Sequence, residues 1–527
     1  MFLVSQPGPY ARRLALTFCH LVCIPFRSSW INLSYIEDDD KINAEYEYIS
    51  LHRDVGETEL KQGREIRGGG VLAYIDSAAV RAVKHGRILI IDGIEKAERG
   101  IMPVLNNLLE NREMNLDDGT HIIHPTRHAR VRGSSDTGKS FIPAHASFRV
   151  IALGVPVPPY KGFPLDPPFR SRFQARFLDP LGTLVSLAKV PPSDEVPPLL
   201  DKLRDIIFSV QYASGLRNPL ENISRSTLPQ FPQNSLQKLT LLLTRFPPPP
   251  ESLAPDQLAR FVLSLHPQLA YAPFEGWALL SHQFENAGLG MLASPSTAGV
   301  RDGSGFFGYR AVSIQRVDTA TARVIFEGPG GSPIINLNVP AGPHPLSTFP
   351  PAGTDRLIVS NRFFGLLTCF LQSHALGWDI SFVPPVLHST ATCSTSLLVK
   401  TFAEALGYEV ETVHLYKEIG GREMLMRRKI GDGGATSWEP RYAFRIWSFS
   451  LLTVYLLFSP LIQSAWAGRL VHLSGLDVIG STAGSIARLL QDREIELWEG
   501  KRIVASASDE EVQLNSASPP FFFLVFL

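Results

Sequence analysis

Three stretches of this 527-residue chain hold residue types at spacings that suit phosphate chemistry. The first, "GSSDTGKS" at residues 133–140, matches G-x-x-x-x-G-K-[ST], a pattern in which backbone N–H groups and a lysine cradle phosphates. The second is "RILIIDGIEKAERG", whose apolar run from Ile88 to Ile91 reads as a fully buried strand ending at Asp92. Open α/β sheets place ligand-binding groups at the C-terminal edges of such strands, where an aspartate can hold Mg²⁺ through water. The same letters also describe a strand running into an Asp-Gly turn. The third is "FLVSQPGPYARRLALTF" at residues 2–18: an apolar strand, a Gly/Pro turn and a helical stretch. Turn and helix-start N–H groups can take a phosphate, so Ser5, Gln6, Pro7, Gly8, Pro9, Tyr10, Ala11, Arg12 and Arg13 form a candidate nucleotide loop. Arg12 or Arg13 would supply positive charge, although a guanidinium does not replace a compact lysine ammonium one for one. The alternative is a helix start with two solvated arginines.

The elements that must position these groups belong to a globular chain. Hydrophobic residues make up 44% and charged residues 19%, which excludes a disordered composition. Formal net charge is zero, which excludes a nucleic-acid binder that works through whole-chain charge. Cys19, Cys23, Cys369 and Cys393 make neither a disulfide framework nor a zinc pattern, and a reducing compartment follows. Residues 446–462, "IWSFSLLTVYLLFSPLI", approach the minimum length of a membrane span but contain Pro460 and follow Arg445. No integral span is expected.

Internal similarity organises the rest. "YISLHRDVGETELKQGREIRGGG" pairs with "TVHLYKEIGGREMLMRRKIGDGG", each read as strand, charged loop and helix. "GRILIIDGIE" pairs with "GRLVHLSGLD", and "LLENREMNLDDG" with "LLQDREIELWEG". The spacing between the copies is not constant, because residues 22–41 interrupt the first and residues 441–458 the second. We read both inserts as translated introns. Lys417, Arg422, Arg427 and Arg428, interleaved with Glu418 and Glu423, read as a solvated helix face with i,i+4 pairs. Between the copies, "LLDKLRDIIFSV", "SLQKLTLLLTRF" and "LAPDQLARFVLSL" carry helical spacing, and "YRAVSIQRVDTATARVIFEG" with "PIINLNV" carries strand signals. The expected domains are 1–180 for the first α/β module, 181–270 for a helical lid, 271–345 for a small β linker and 355–505 for the second module. Residues 506–527, ending "SPPFFFLVFL", are expected to be a disordered or truncated tail.

From Asp92 through Arg112 the sequence resembles AAA+ ATPases of the MoxR, midasin and dynein-related branch. That branch shows a Walker B strand, an Asn/Arg-Ala turn and a helix ending in a pattern like "LLE…E.R". Downstream, "NLDDGTHIIHP" looks like its β-hairpin insert, "FRVIALG" like its sensor-1 strand, and "LDPPFRSRFQARF" like its arginine-finger segment. "RDVGETELKQGREIR", "GIMPVLNNLLENREMNL" and "PLDPPFRSRFQARF" are similar to a mitochondrial member of the branch, over most of the chain outside the inserts and tail. That member is much longer, so the chain is expected to be an N-terminal portion of such a protein.

The resemblance implies a tandem AAA+ (P-loop NTPase) α/β fold: parallel sheets flanked by helices, an α-helical lid and a small β linker. It implies ATP and Mg²⁺ as ligands, ATP hydrolysis at the first module, a homo-oligomeric ring and a mitochondrial setting, with no targeting peptide visible. Asp92 falls at the Walker B position and would hold Mg²⁺ through water. The family's following glutamate is replaced by Gly93, leaving Glu95 or Glu98 to orient the attacking water. Arg170 and Arg172 are the finger candidates, acting on a neighbour's γ-phosphate. "GSSDTGKS" follows Walker B, is preceded by "RHARVR" and is followed by "FIPAH", so the order of motifs gives Lys139 no phosphate role and leaves residues 5–13 as the loop. In the second copy the loop holds His388, Ser389 and Cys393 without Gly or Lys, and Ser474 replaces the Walker B acid, with Asp477 aligned to Glu95. That copy reads as regulatory. A non-hydrolytic ATP-binding scaffold shares every one of these features and stays as the alternative.

Overall fold

The computed structural model describes residues 1–23, 45–67, 71–131, 140–158, 160–179, 198–215, 228–229, 231–248, 254–295, 303–330, 334–353, 359–382, 395–425, 427–430, 436–439, 459–497, 502–503 and 523–526. Lys139 and all of "GSSDTGKS" but its last residue lie outside them, as do His388, Ser389, Cys393, insert 441–458 and all but the first two residues of insert 22–41. The chain divides into two compact units. Unit 1 is Met1–Pro180 with Lys417–Ser459 and Ile479–Asn515; unit 2 is Leu181–Tyr416 with Pro460–Val478 and Ser516–Leu527.

Unit 1 is built on a parallel sheet. Its strands are β1 (Phe2–Val4), β2 (Tyr46–Ser50), β5 (Ile88–Asp92), β9 (Arg149–Gly154) and β10 (Ala175–Phe177), in the order β10-β1-β9-β5-β2. Alternation along each strand supplies both faces. Leu3, Tyr46, Tyr48, Ile88, Ile90, Ile151 and Leu153 pack with Ala11, Ala15, Leu16 and Cys19 of α1 (Tyr10–Cys23). Phe2, Leu89, Ile91, Val150 and Ala152 pack on the other side with Val80 and Val83 of α3 (Ala78–His85) and with Leu105 and Leu108 of α4 (Met102–Asn111). A parallel sheet covered on both faces explains why β5 is an unbroken apolar run rather than an alternating one. Leu89, Ile90 and Ile91 are each fully buried, which contributes about 1.5–3 kcal/mol apiece.

Two local expectations change. The stretch after "GETEL" is not a helix: α2 (Glu57–Leu60) stops after one turn, and β3 (Gln62–Arg67) pairs antiparallel with β4 (Val71–Asp76). Gly63 just past the turn weakens helix continuation, and the six-residue ladder satisfies the backbone instead. The basic run divides likewise between the helix Gly421–Leu425 and the strand Arg427–Ile430, so Arg427 and Arg428 share no helix face with Arg422. Arg422 instead lies 4.0 Å from Glu59. "NLDDGTHIIHP" does form a hairpin, β6 (Met114–Asn115) against β7 (His121–Ile123), followed by α5 (Pro125–Val131) and by β8 (Phe141–Pro143), which pairs parallel with β7.

Unit 2 has one core shared by the helices Pro198–Gly215, Ser235–Arg245, Pro255–Leu265, Phe274–Asn286, Asn361–Ala375 and Thr395–Leu406 and an antiparallel three-stranded sheet (Arg310–Arg316, Thr321–Glu327, Ile335–Pro340). Beside them is a parallel sheet in the order Ile380–Phe382, Phe523–Phe526, Leu470–Ser474, Val410–His414. Phe523–Phe526 was expected to complete no domain and instead forms an inner strand there, the use for which an apolar aromatic run is suited. No helix among the described residues is long and apolar enough to cross a membrane.

His374 marks unit 2 for a pH test. It is 2% exposed, bonds the Pro340 carbonyl at 2.9 Å, and burial lowers its pKa to about 4. The unfolded chain, titrating near 6.5, binds the extra proton first, so stability is full above pH 6.5 and falls as pH drops toward 4. The accumulated loss is about 3 kcal/mol. Urea midpoints at pH 7 and pH 5 should diverge in the native chain and diverge less in His374→Gln; equal divergence in both would sink the assignment.

Candidate functional site

Strand parity decides which way the Asp92 carboxylate faces. Ile88 and Ile90 pack on the α1 side, so Asp92, two residues on, projects to that side. Asp92 stands between Ser50 of β2 and Leu153 of β9 at the C-terminal edge of the sheet. Its Oδ2 accepts a hydrogen bond from the Tyr48 hydroxyl at 2.5 Å and lies 3.4 Å from Arg12 Nη1. Among the described residues its Oδ1 has no hydrogen-bond donor. The Asp92 side chain is 26% exposed against 5% for Arg12, so the carboxylate is the part of the pair open to a ligand.

Both partners keep their protons. Burial first, and then Asp92 beside it, pushes the Tyr48 hydroxyl well above its usual pKa. For Arg12, burial opposes the charge, but Tyr48, Asp492 and Asp92 outweigh it and the pKa rises.

The loop from Ser5 to Pro9 joins β1 to α1 over this edge. The Ser5 N–H donates to Gly154 O at 3.1 Å, and the Arg13 N–H to Pro9 O at 2.8 Å. Gly8 has φ 147°, a conformation that favours glycine. Pro7 and Pro9 bring no N–H, so the loop offers an anion fewer backbone donors than a glycine-rich one. What the sequence supplies instead is the start of α1: Tyr10, Ala11 and Arg12 open a helix with no acidic residue in its first turn, where the dipole favours negative charge. The donors fit phosphate. For Mg²⁺, the open Oδ1 of Asp92 fits an outer-sphere contact, and the ion's remaining ligands would be water and phosphate oxygens.

Arg12 and Arg13 reach further, to the helix Gly484–Asp492 in the same unit. Arg12 Nε donates to Asp492 Oδ2 at 2.6 Å and Arg12 Nη2 to Gln491 Oε1 at 2.6 Å. Arg13 Nε donates to Asp492 Oδ1 at 3.0 Å and Arg13 Nη2 to the Gln491 carbonyl at 3.0 Å. One helical turn earlier, Arg488 bonds the Tyr46 hydroxyl at 2.8 Å, stacks 4.8 Å from the Tyr48 ring, and pairs with Glu494 and Glu496 at 2.5 Å each.

The other candidates are placed differently. Glu95 lies in a 3₁₀ turn, 2% exposed, and its Oε2 accepts the Val155 N–H at 3.3 Å just past β9. Burial raises its pKa. It has no hydrogen bond to Asp92, and Glu98 is exposed. Gly93, at the usual glutamate position, has φ 77°, and a Cβ there would stand 3.1 Å from Leu51 O. The turn itself therefore requires glycine. α6 (Pro167–Ser171) is anchored by Phe169 at 1% exposure. Arg172 pairs with Glu110 of α4, whereas Arg170 is exposed and has no side-chain partner among the described residues.

The same edge geometry recurs in unit 2 without the carboxylate. Ser474 pairs in register with His414, the Leu415 N–H donates to Ser474 O at 2.9 Å, and Gly475 has φ 88°. In unit 1 Asp92 pairs with Ser50, and the Leu51 N–H donates to Asp92 O at 2.8 Å. Asp477 is exposed.

Sequence reasoning missed Tyr48, Gln491 and Asp492. Tyr48 was findable, since it shares the parity of Ile88 and Asp92. Asp492 was not: in the internal repeat it aligns with Asn111 of "LLENRE" and carries no motif.

Comparison with known proteins bears on the fold that carries this edge. Residues 2–173 match the AAA domain family of the dynein-related subfamily. The whole chain is 31% identical over 555 aligned residues to von Willebrand factor A domain-containing protein 8 of Mus musculus, and spans 25% of that protein's length. Among solved structures, a proposed ATPase from Cytophaga hutchinsonii overlaps 40% of this chain and 59% of its own at 11% identity and a TM-score of 0.23, a likeness too loose to add to the fold. Residues 2–173 thus match an AAA domain of the dynein-related subfamily, in a chain similar throughout to a quarter of von Willebrand factor A domain-containing protein 8.

Proposed function

We propose that the first AAA domain binds ATP with Mg²⁺ at the β1–α1 edge and hydrolyses it, and that the second copy is a degenerate, regulatory partner. The observation that carries this reading is the meeting of three groups on one face of one sheet edge: the acid-free start of α1, the Arg12 guanidinium and the Asp92 carboxylate. The helix start and Arg12 bind phosphate oxygens. Asp92 accepts from a water on the metal, with Tyr48 fixing its rotamer. Mg²⁺ held there through water by Asp92 would supply charge neutralisation to the phosphates. The attacking water forms a bond to the γ-phosphorus as the bond to the bridging oxygen breaks; ADP leaves, and the water's proton passes to phosphate or solvent. Glu95, or Glu98, orients that water, and Arg170 or Arg172 of a neighbouring subunit meets the transition-state charge. A ring assembly and a mitochondrial setting belong to the same reading.

A second reading, an ATP-binding assembly scaffold without hydrolysis, is favoured by Gly93 at the glutamate position and by the bonding of Glu95 to Val155 rather than toward Asp92. Titration of the chain with MgATP tests what both readings share. Arg12→Ala should weaken binding by about 10- to 150-fold, since a charge-assisted contact of this kind is worth about 1.5–3 kcal/mol. An unchanged affinity would remove residues 5–13 from the site.

A further inference from the structure

The residues that should meet phosphate already hold a carboxylate. A guanidinium grips an oxyanion through the paired N–H groups of its Nε and terminal nitrogens. On both Arg12 and Arg13 that edge is taken by the end of the helix Gly484–Asp492: Nε of each by the two oxygens of Asp492, and Nη2 by Gln491. The Asp492 side chain is 8% exposed. The third nitrogen of Arg12 faces Asp92. The helix ends at Arg493 in a left-handed C-cap with φ 61°, so its negative pole and the Asp492 charge lie together at the arginine pair, as a C-terminal helix dipole favours. The cluster of Arg12, Arg13, Asp92 and Asp492 is neutral as it stands.

From this we infer that Asp492 is a built-in occupant of the phosphate seat, an autoinhibitory plug that a nucleotide triphosphate must displace. The inference rests on the proposed nucleotide site at Arg12. The N–H groups that hold Asp492 and Gln491 are the ones a phosphate needs, so helix docking and triphosphate binding compete. The device makes occupancy of the first domain depend on the docking of a segment more than 470 residues downstream, with no change in the loop itself.

The test is titration of the intact chain with MgATP and separately with inorganic tripolyphosphate, comparing the native protein with Asp492→Asn, Asp492→Glu and Gln491→Ala. Hydrogen exchange is followed across residues 484–492. Asp492→Asn should bind both ligands about tenfold more tightly, Asp492→Glu should stay near native, and saturating tripolyphosphate should speed exchange across the helix in the native chain. If Asp492→Asn binds as the native chain does, or more weakly, or if ligand protects the helix, the plug is wrong while the nucleotide site stands. If no variant binds either ligand, the nucleotide site at Arg12 is wrong and the plug falls with it. Gln491→Ala keeps the carboxylate and removes one acceptor. It should show a smaller gain of the same sign, which guards against a folding defect peculiar to Asp492→Asn.

Discussion

Asp92→Asn is expected to reduce ATP turnover about 100-fold or more, with MgATP affinity changing only a few-fold. The substitution is nearly isosteric. The amide oxygen can still accept from Tyr48, whose hydroxyl keeps its proton through burial, so the β5 edge and the sheet register should survive. What is lost is the negative charge that would hold a metal ion through water at Oδ1. Stabilising developing charge on transferring phosphoryl oxygens is worth several kcal/mol, and about 2.7 kcal/mol corresponds to 100-fold in rate. On this reading affinity moves less because Arg12 and the α1 start would hold the phosphates, and because asparagine removes the negative charge 3.4 Å from Arg12 while keeping the acceptor oxygen. Steady-state phosphate release under saturating MgATP reads the first quantity and equilibrium titration the second. Equal turnover in both proteins would defeat hydrolysis at this site and leave the scaffold reading.

How far the sequence reached is visible in β5 and its neighbours. Its four apolar residues read as the buried strand that forms, its last residue stands at the C-terminal edge of the sheet, and the Gly/Pro turn before "YARR" connects β1 to α1, because each depends on local patterning. The hairpins Gln62–Asp76 and Arg427–Glu439 were not legible. Both copies carry helix-forming Glu, Lys, Arg and Leu, and only long ladder pairing reveals them as strands. The partners of Arg12 were hidden for another reason. Asp492 is 480 residues away in the chain, and no spacing rule connects a helix end to a distant loop. The two finger candidates looked equivalent in "FRSRF", and what separates them is Glu110 on α4, which pairs with Arg172, whereas Arg170 has no side-chain partner among the described residues.

That difference yields the last prediction. Arg170→Ala should lower turnover about 1000-fold, the scale of an arginine finger, whereas Arg172→Ala should lower it little and cost at most about 1 kcal/mol of stability, because its pair with Glu110 is partly exposed. The contrast follows from placement. Phe169 buries α6 in the core, so both arginines are held on one turn, and among the described residues Arg172 is paired within the chain while Arg170 is exposed. A finger acts on the neighbour's nucleotide, so the defect must be complementable. Mixing Arg170→Ala subunits, which keep Asp92, with Asp92→Asn subunits, which keep Arg170, should restore turnover well above either variant alone. A structural defect at Arg170 would not be rescued this way, because each mixed subunit would still carry its own damage. Absence of recovery, with both variants shown to co-assemble, would remove Arg170 from the reaction. Recovery by Arg172→Ala mixtures and not by Arg170→Ala mixtures would transfer the role to Arg172 and require the Glu110 pair to open on assembly.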